Sequence, residues 1–264
     1  MSAERPSDPG RAAPLAADEL PFVVPCRDLD RGAPLRWLRA GWRDVRRAPG
    51  LTLLFGLATM VASLLVSWLA WSLGRFALLA VLLSGFVFIA PLLGVAMYAV
   101  SRALADGERP TFLHSMRLAQ RVLGQAAVFA LIQLVVMLLW SRAGMMLAVF
   151  VPMQAGDTTA MLEYLVIGSL VGSVFAALTF AVAVLSLPLI ADRDVDMVTA
   201  CLSSVNAVLR NKAVMATWAL MIVLLTALGF ATAFLGLALA LPWLAYASFH
   251  ACRDTLDASA WPRA

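Results

Sequence analysis

Long apolar runs recur along this chain, and their lengths suit helices that cross a lipid bilayer. A bilayer core about 30 Å thick needs about 20 apolar residues in a helix. The first run, residues 51–73, contains no charged side chain. Of all 264 residues, 62% are hydrophobic and 14% are charged, whereas soluble domains are about half apolar and about a quarter charged. The sequence therefore predicts an all-α, polytopic membrane protein.

We predict six transmembrane helices arranged as three hairpins. The last apolar run, residues 213–251, is 39 residues long, which exceeds the length of one span. Gly229 and Gly236 near its middle favour a turn between two short spans, and a single strongly tilted helix is the alternative. The predicted spans are 51–73, 76–100, 125–147, 164–190, 213–231 and 234–251.

The two ends of the chain are expected to be tails around one membrane domain, residues 33–256. Residues 1–32 are rich in Pro, Ala, Asp and Arg without periodicity, which predicts a disordered tail. Residues 257–264 are expected to form a short second tail. With six spans, 18 basic residues fall on one side and two, Arg75 and Arg142, on the other. The positive-inside rule then predicts that both tails are cytoplasmic.

A short amphipathic stretch precedes each predicted hairpin, at residues 34–48, 112–123 and 197–210. Apolar residues three and four apart give each stretch an apolar stripe, and Pro49-Gly50, Gly124 and Asn211 are expected to end them. We therefore expect three repeats of an interfacial helix followed by a hairpin. In the first stretch the stripe is Leu35, Leu38, Trp42 and Val45. The residues expected at the level of the lipid headgroups are Trp37, Trp42, Arg43, Arg46 and Arg47.

The sequence DRDVD, which places Asp192, Arg193, Asp194 and Asp196 just after the fourth span, invites a metal-site hypothesis. A calcium loop that starts at Asp192 would need Gly and Glu where Met197 and Ser203 stand. Asp194 and Asp196 instead suit the N-cap of the following helix, and Arg193 can pair with either. We therefore favour helix capping over metal binding.

Three other features carry hypotheses of their own. Arg142 interrupts the third apolar region, and we expect it to reach the outer surface, with 143–153 as an interfacial segment, or to pair with Asp157 or Glu163. His250 ends the last span, where a cation would complement the helix C-terminus. A small-residue face predicts tight packing of the fourth span on a neighbour or on a second copy, and consists of Gly168, Gly172 and Ala176.

Few residues suggest catalysis. The sequence lacks the nucleotide-binding, zinc-protease and serine-hydrolase motifs, and the predicted spans lack Asp, Glu and Lys. Two histidines are too few for a haem-copper oxidase. We expect no enzyme, no cofactor and no nucleic-acid partner. An enzyme would need a set of side chains to converge near the inner face, namely Asp192, Asp194, Asp196, His250 and Asp254.

Three segments together resemble a bacterial family of integral membrane proteins, domain of unknown function 2189. They are RWLRAGWRDVRRAPG at 36–50, VGSVFAALTFAVAVLSLPLIADRDVDMVTACLSSVNAVL at 171–209 and FLGLALALPWLAYASFHACRDTL at 234–256. The last contains Arg253 and Asp254, and Cys252 stands where the family usually has an aromatic residue. The resemblance implies about six spans in the inner membrane, without an activity or catalytic residues.

These observations predict a non-enzymatic scaffold or interaction protein. Its partners would be anionic lipid headgroups at the cytoplasmic face and a protein, either another chain or a second copy. The alternative is a small permease or a transporter of lipids or small molecules, in which helix-breaking prolines line a cavity. A water-filled cavity that reaches the middle of the membrane would favour the transporter.

Overall fold

A computed structural model describes residues 21–73, 93–150, 158–232 and 234–264. These residues are mainly helical, and extended pairing among them is limited to two isolated bridges, Cys26 with Leu256 and Arg193 with Arg263. The all-α prediction is confirmed. The helices are α1 Ala33–Arg47, α2 Pro49–Leu73, α3 Leu93–Ala105, α4 Phe112–Arg121, α5 Leu123–Phe150, α6 Thr158–Ala183, α7 Ser186–Asp192, α8 Met197–Arg210, α9 Lys212–Ala231 and α10 Leu237–Thr255.

Within the described ranges, three segments are long and apolar enough to cross a membrane, namely Leu123–Leu147, Met161–Asp192 and Lys212–Ala231. A fourth results if α1 and the first part of α2, which meet at a bend of 104°, count as one broken span. Residues 74–92, most of the predicted second span, lie outside the described residues. The predicted sixth span corresponds to α10, which is not among these candidates.

The long apolar run at 213–251 divides into two helices. Helix α9 ends at Ala231 and α10 begins at Leu237, with the side chain of Leu237 packed against Gly229. Between them, Phe234 has a φ of 71°, a left-handed conformation that fits a tight turn. The turn lies where the sequence predicts it, so the alternative of one tilted helix is wrong.

Three junctions in the chain share one design, in which a single residue separates an amphipathic helix from a long apolar one. The separating residues are Ala48, Val122 and Asn211. Pro49 can open α2 because a helix's first turn does not need its backbone N–H. Helices are thus present at all three predicted stretches. The predicted stop at Gly124 is wrong, because α4 ends at Arg121 and Gly124 lies in the first turn of α5.

The core lies at one end of the bundle, which we call the polar end and define by α1, α4, α8 and the starts of α2, α5 and α9. Phe112 stacks on Phe55 with ring centroids 6.0 Å apart, and the backbone N–H of Met197 donates to Gln125 Oε1 at 2.8 Å. The largest fully buried side chains include Trp37, Trp218, Tyr246 and Phe249. Farther along the apolar helices, leucines such as Leu65, Leu139, Leu165 and Leu224 point outward. That surface suits lipid rather than water.

Both described chain ends pack against the polar end. Val24 is fully buried and its backbone N–H donates to Ser203 Oγ at 2.9 Å. The N–H of Leu29 donates to Asn211 Oδ1 at 2.9 Å, and Trp261 is buried. The prediction of a disordered tail over 1–32 is therefore wrong for residues 24–32, and 257–264 is docked rather than free. Residues 1–20 lie outside the described part of the chain.

Candidate functional site

The acidic motif DRDVD has two separate structural roles, and the first is helix capping. Asp196 occupies the N-cap of α8, and its Oδ1 accepts a hydrogen bond from the backbone N–H of Thr199 at 2.9 Å. A carboxylate there satisfies a free helix N–H and complements the helix dipole. Asp194 has an exposed side chain, and its backbone N–H donates to the carbonyl of Pro262 at 2.9 Å. Capping by Asp196 is confirmed, whereas Asp194 does not cap.

The second role is that of Asp192, whose buried side chain forms ion pairs with arginines. Its Oδ2 lies 3.5 Å from Arg193 Nε and 3.4 Å from Arg253 Nε. The expected pairing of Arg193 with Asp194 or Asp196 is wrong, because the chain turns the guanidinium back towards Asp192 and the carbonyl of Trp261, which accepts from Arg193 Nη1 at 2.9 Å. Three of the predicted residues thus meet in one cluster, in which two arginines offset one buried carboxylate.

Around this cluster, further arginines fix the end of the chain. Arg102 donates to the carbonyls of Ala191 at 2.9 Å and Ala264 at 2.7 Å. Arg263 forms an ion pair with Asp106, and this hydrogen bond lowers the pKa of the Asp106 carboxyl below its ordinary value. A small cavity of 180 Å³ borders Asp192 and Arg253. In the described ranges, no three His, Cys, Asp or Glu side chains are grouped to hold a metal ion.

His250 and Asp254 do not join that cluster. They bind α1 instead, across the most extensive helix contact at the polar end. His250 Nε2 lies 2.7 Å from Asp44 Oδ2, which places a proton on Nε2 because a carboxylate oxygen accepts. Asp254 Oδ2 accepts from Trp37 Nε1 at 2.8 Å. His250 is therefore a partner of a buried carboxylate rather than a lone cation at a helix end.

The same contact needs a glycine. A methyl group on Gly41 would lie 2.7 Å from the backbone nitrogen of Ala247 and 2.9 Å from the carbonyl oxygen of Trp243. Only glycine lets α1 and α10 approach so closely. Gly56 of α2 approaches the carbonyl of Ala238 in the same manner. Helix α10 is thus clamped between α1 and α2.

The outward side of α1 forms an open groove with α10. The groove has a volume of about 910 Å³, and its apolar walls are Leu35, Leu38, Trp42, Leu239 and Trp243. The indole rings of Trp42 and Trp243 are 5.1 Å apart, and Trp243 Nε1 donates to the carbonyl of Leu38 at 2.8 Å. Arg36, Arg39 and Arg43 border the groove. A surface that joins exposed apolar walls to arginines is typical of a lipid-facing site.

The predicted interfacial set divides between two faces of α1. Trp37 is buried and packs edge-on against Trp218 with centroids 5.5 Å apart, so its expected place among the headgroups is wrong. Val45 is also buried, and does not continue the predicted stripe. The guanidinium of Arg46 lies 5.5 Å from the ring centroid of Trp42, a cation–π contact. Arg43, Arg46 and Arg47 are exposed, as expected.

Arg142 lies on the surface of an unbroken helix. Helix α5 continues to Phe150, so residues 143–150 do not form the expected separate interfacial segment. Asp157, one of its two predicted partners, lies outside the described residues. No ion pair joins Arg142 to an acid within the described ranges, which include the other predicted partner, Glu163.

The small-residue face of α6 is turned towards α5. A methyl group on Gly168 would lie 3.4 Å from Leu147 Cδ2, and one on Gly172 would lie 3.7 Å from Trp140 Nε1. Both are ordinary van der Waals distances. Gly172 and Ala176 border a groove of about 340 Å³ between the two helices. Packing of this face on a second copy stays a prediction.

Asp44, Gly41 and Arg102 are functional-site residues that the sequence does not predict. A signal for the first two exists, because Trp37, Gly41 and Asp44 recur at spacings of four and three on one face of α1. That face lies beside the apolar stripe rather than within it, so in the sequence an acid there resembles a solvated residue. Arg102 carries no local signal, since its partners Ala191 and Ala264 are far away in sequence.

The sequence profile of domain of unknown function 2189, described as a predicted integral membrane protein, matches residues 78–192. The matched range ends at Asp192, the buried acid of the cluster. It leaves out the segments 36–50 and 234–256, so the resemblance is confirmed over a narrower range than those motifs suggest. No curated protein and no solved structure matches the chain. Over residues 78–192, the chain is similar to domain of unknown function 2189, a family described as a predicted integral membrane protein.

Proposed function

We propose that this protein is a non-enzymatic scaffold or interaction protein of the bacterial inner membrane, with basic interfacial helices that rest on anionic lipid. One observation carries the proposal. Helix α1 leaves the apolar helix α2 at 104° and keeps a row of arginines on its exposed side. Within the described ranges, no acid forms an ion pair with any of these four arginines, which are Arg39, Arg43, Arg46 and Arg47.

The energetics favour a helix that lies along the membrane surface. Each basic residue near an anionic surface adds about 1 kcal/mol of attraction. Indole rings such as that of Trp42 favour the same level of the membrane. The packed polar end would then stand at the surface, where it can present α4, α8 and the docked chain ends to a partner protein or a second copy.

We further infer six spans in three hairpins, with both chain ends in the cytoplasm. The distribution of arginine supports this orientation, because nine arginines precede the first span and two basic residues fall on the opposite side. A reporter fused after residue 264 is expected to be active only in a cytoplasmic-type assay. A periplasmic signal would contradict the orientation.

Hydrogen exchange on the full chain in lipid nanodiscs tests the proposal. We expect amides of α1 to be more protected when phosphatidylglycerol replaces part of the phosphatidylcholine. High salt should weaken that protection, since salt screens surface charge. Protection of α1 that ignores both lipid charge and salt would contradict it. The alternative, a permease, requires a water-filled path, which fast exchange midway along α5 and α6 would reveal.

A further inference from the structure

The groove between α1 and α10 has features beyond those that a charged surface helix needs. Its apolar walls come from two helices, so they enclose space from two sides rather than presenting one flat stripe. Leu35 is 49% exposed and Leu239 is 44% exposed, although both border the close contact of α1 with α10. Apolar walls left open beside a well-packed contact indicate that something apolar covers them.

Charge is placed beside this apolar space on one side. Arg39 and Arg43 are one helical turn apart on α1, so both side chains reach the same region next to Leu35 and Trp42. Arg36 is already paired with Asp30 and Asp254. Within the described ranges, no such ion pair engages Arg39 or Arg43. Two guanidinium groups one turn apart suit a phosphate, whose oxygens accept paired hydrogen bonds.

The groove is also held rigid before any ligand arrives. The bonds from Asp44 to His250 and from Trp37 to Asp254 fix α1 on α10, and Gly41 sets their close separation. Trp243 uses its indole N–H on the carbonyl of Leu38, which leaves its ring as a wall. A preformed groove costs a ligand less conformational entropy than a mobile surface does.

We propose that this groove binds one anionic phospholipid. Arg39 and Arg43 hold its phosphate, and an acyl chain lies along Leu35, Leu38 and Leu239. The occupant is argued from the combination of charge and apolar shape, since a lipid carries a phosphate joined directly to long apolar chains. The inference rests on the proposed function, in which α1 meets anionic lipid, but it requires one defined site rather than diffuse attraction.

Native mass spectrometry of the full chain in a non-ionic detergent tests the site, with phosphatidylglycerol and phosphatidylcholine of identical acyl chains as probes. We expect one phosphatidylglycerol to bind per chain well before further lipids do. The double variant Arg39→Gln/Arg43→Gln should weaken this first binding about thirty-fold, because it removes two arginines that each attract the anionic lipid by a similar amount. The variant Leu239→Trp, which fills the groove and keeps the charges, should weaken it as well.

The matched control is Arg117→Gln/Arg121→Gln on α4, which removes the same charge from two exposed positions of another amphipathic helix. It should leave the first binding within about two-fold of the parent protein. Equal losses in both double variants would overturn the single site and leave the general attraction to anionic lipid standing. Equal binding of the two lipids would overturn the site as well, and if α1 protection in nanodiscs also ignored lipid charge, the proposed function would fall with it. Unchanged binding in Leu239→Trp would overturn the place of the acyl chain.

Discussion

Two helix contacts in this molecule differ in how closely the helices approach and in whether polar side chains join them. Between α1 and α10, the backbones meet at Gly41, a buried carboxylate meets an imidazole, and an indole donates to Asp254. Between α5 and α6, glycines face side chains at ordinary distances, and a groove of about 340 Å³ separates part of the contact. The first contact is closed by specific bonds, whereas the second leaves room that lipid or another helix can fill.

This difference between the two contacts indicates that the arrangement of the helices is determined mainly at the polar end. At the polar end, water competes for every hydrogen bond, so burial of apolar side chains and paired polar groups holds the helices. Along the apolar helices, lipid tails are as apolar as the side chains, so little drives tight closure without small residues in direct contact. The small-xxx-small pattern on α6 therefore permits close packing of another helix, but α5 does not pack against it closely.

The largest effect should come from glycine substitutions that separate the two contacts. Gly41→Leu places a side chain into the backbone of α10 and should lower the free energy of unfolding by at least about 3 kcal/mol. Gly172→Leu places its side chain in the groove beside Trp140 and should change the free energy of unfolding by less than about 1 kcal/mol. Thermal unfolding in detergent measures both. Comparable losses would show that α5 and α6 pack as tightly as α1 and α10.

A somewhat smaller effect is expected for the buried pair on α1 and α10. Asp44→Ala removes the acceptor for the His250 ring and should cost about 2 kcal/mol, since it leaves a partly buried donor without a partner. A double-mutant cycle with His250→Ala should give a coupling energy of about 1 kcal/mol or more. Additive single effects would mean that the two side chains do not stabilise each other.

Within DRDVD, alanine substitutions at Asp194 and Asp196 show which of the two acids caps α8. Asp196→Ala removes the α8 cap and should cost about 1 kcal/mol. Asp194→Ala changes an exposed side chain and should cost less than about 0.5 kcal/mol. Unfolding of the two variants, side by side, gives the comparison. The reverse ranking would place the cap at Asp194.

The smallest effect is a pH dependence at the docked chain end. The pKa of Asp106 is lowered by its hydrogen bond from Arg263, so the pair contributes stability above the ordinary carboxyl pKa of 3.8. That contribution is lost as the pH falls through the lowered pKa, and for an exposed pair it amounts to a few tenths of a kcal/mol, roughly. Asp106→Asn should remove this pair's contribution to the pH dependence of acid unfolding. An unchanged acid profile would show that the pair contributes nothing.

Local features of the fold could be read from the sequence, and distant pairings could not. The cap by Asp196 depends on Thr199, three residues away, and the sequence narrows the capping residue to Asp194 or Asp196. Asp192 meets Arg253 only because α10 returns to the end of α7. Asp44 and His250 are 206 residues apart, and no local pattern links them. The apolar stripe of α1 is real for Leu35, Leu38 and Trp42, but packing on α10 decides that Trp37 and Val45 face inward.

Helix α1 is proposed to lie along the membrane surface, and a measurement of its depth in the bilayer decides between this placement and insertion. Spin labels are introduced one at a time at exposed positions of α1, replacing Leu35, Arg39, Arg43 and Arg46. Their accessibilities to oxygen and to a water-soluble nickel chelate are then compared in nanodiscs. We predict nearly constant depth at the level of the headgroups along the helix. A depth that increases steadily, by about 1.5 Å per residue, would instead show that α1 inserts into the bilayer and would contradict the account.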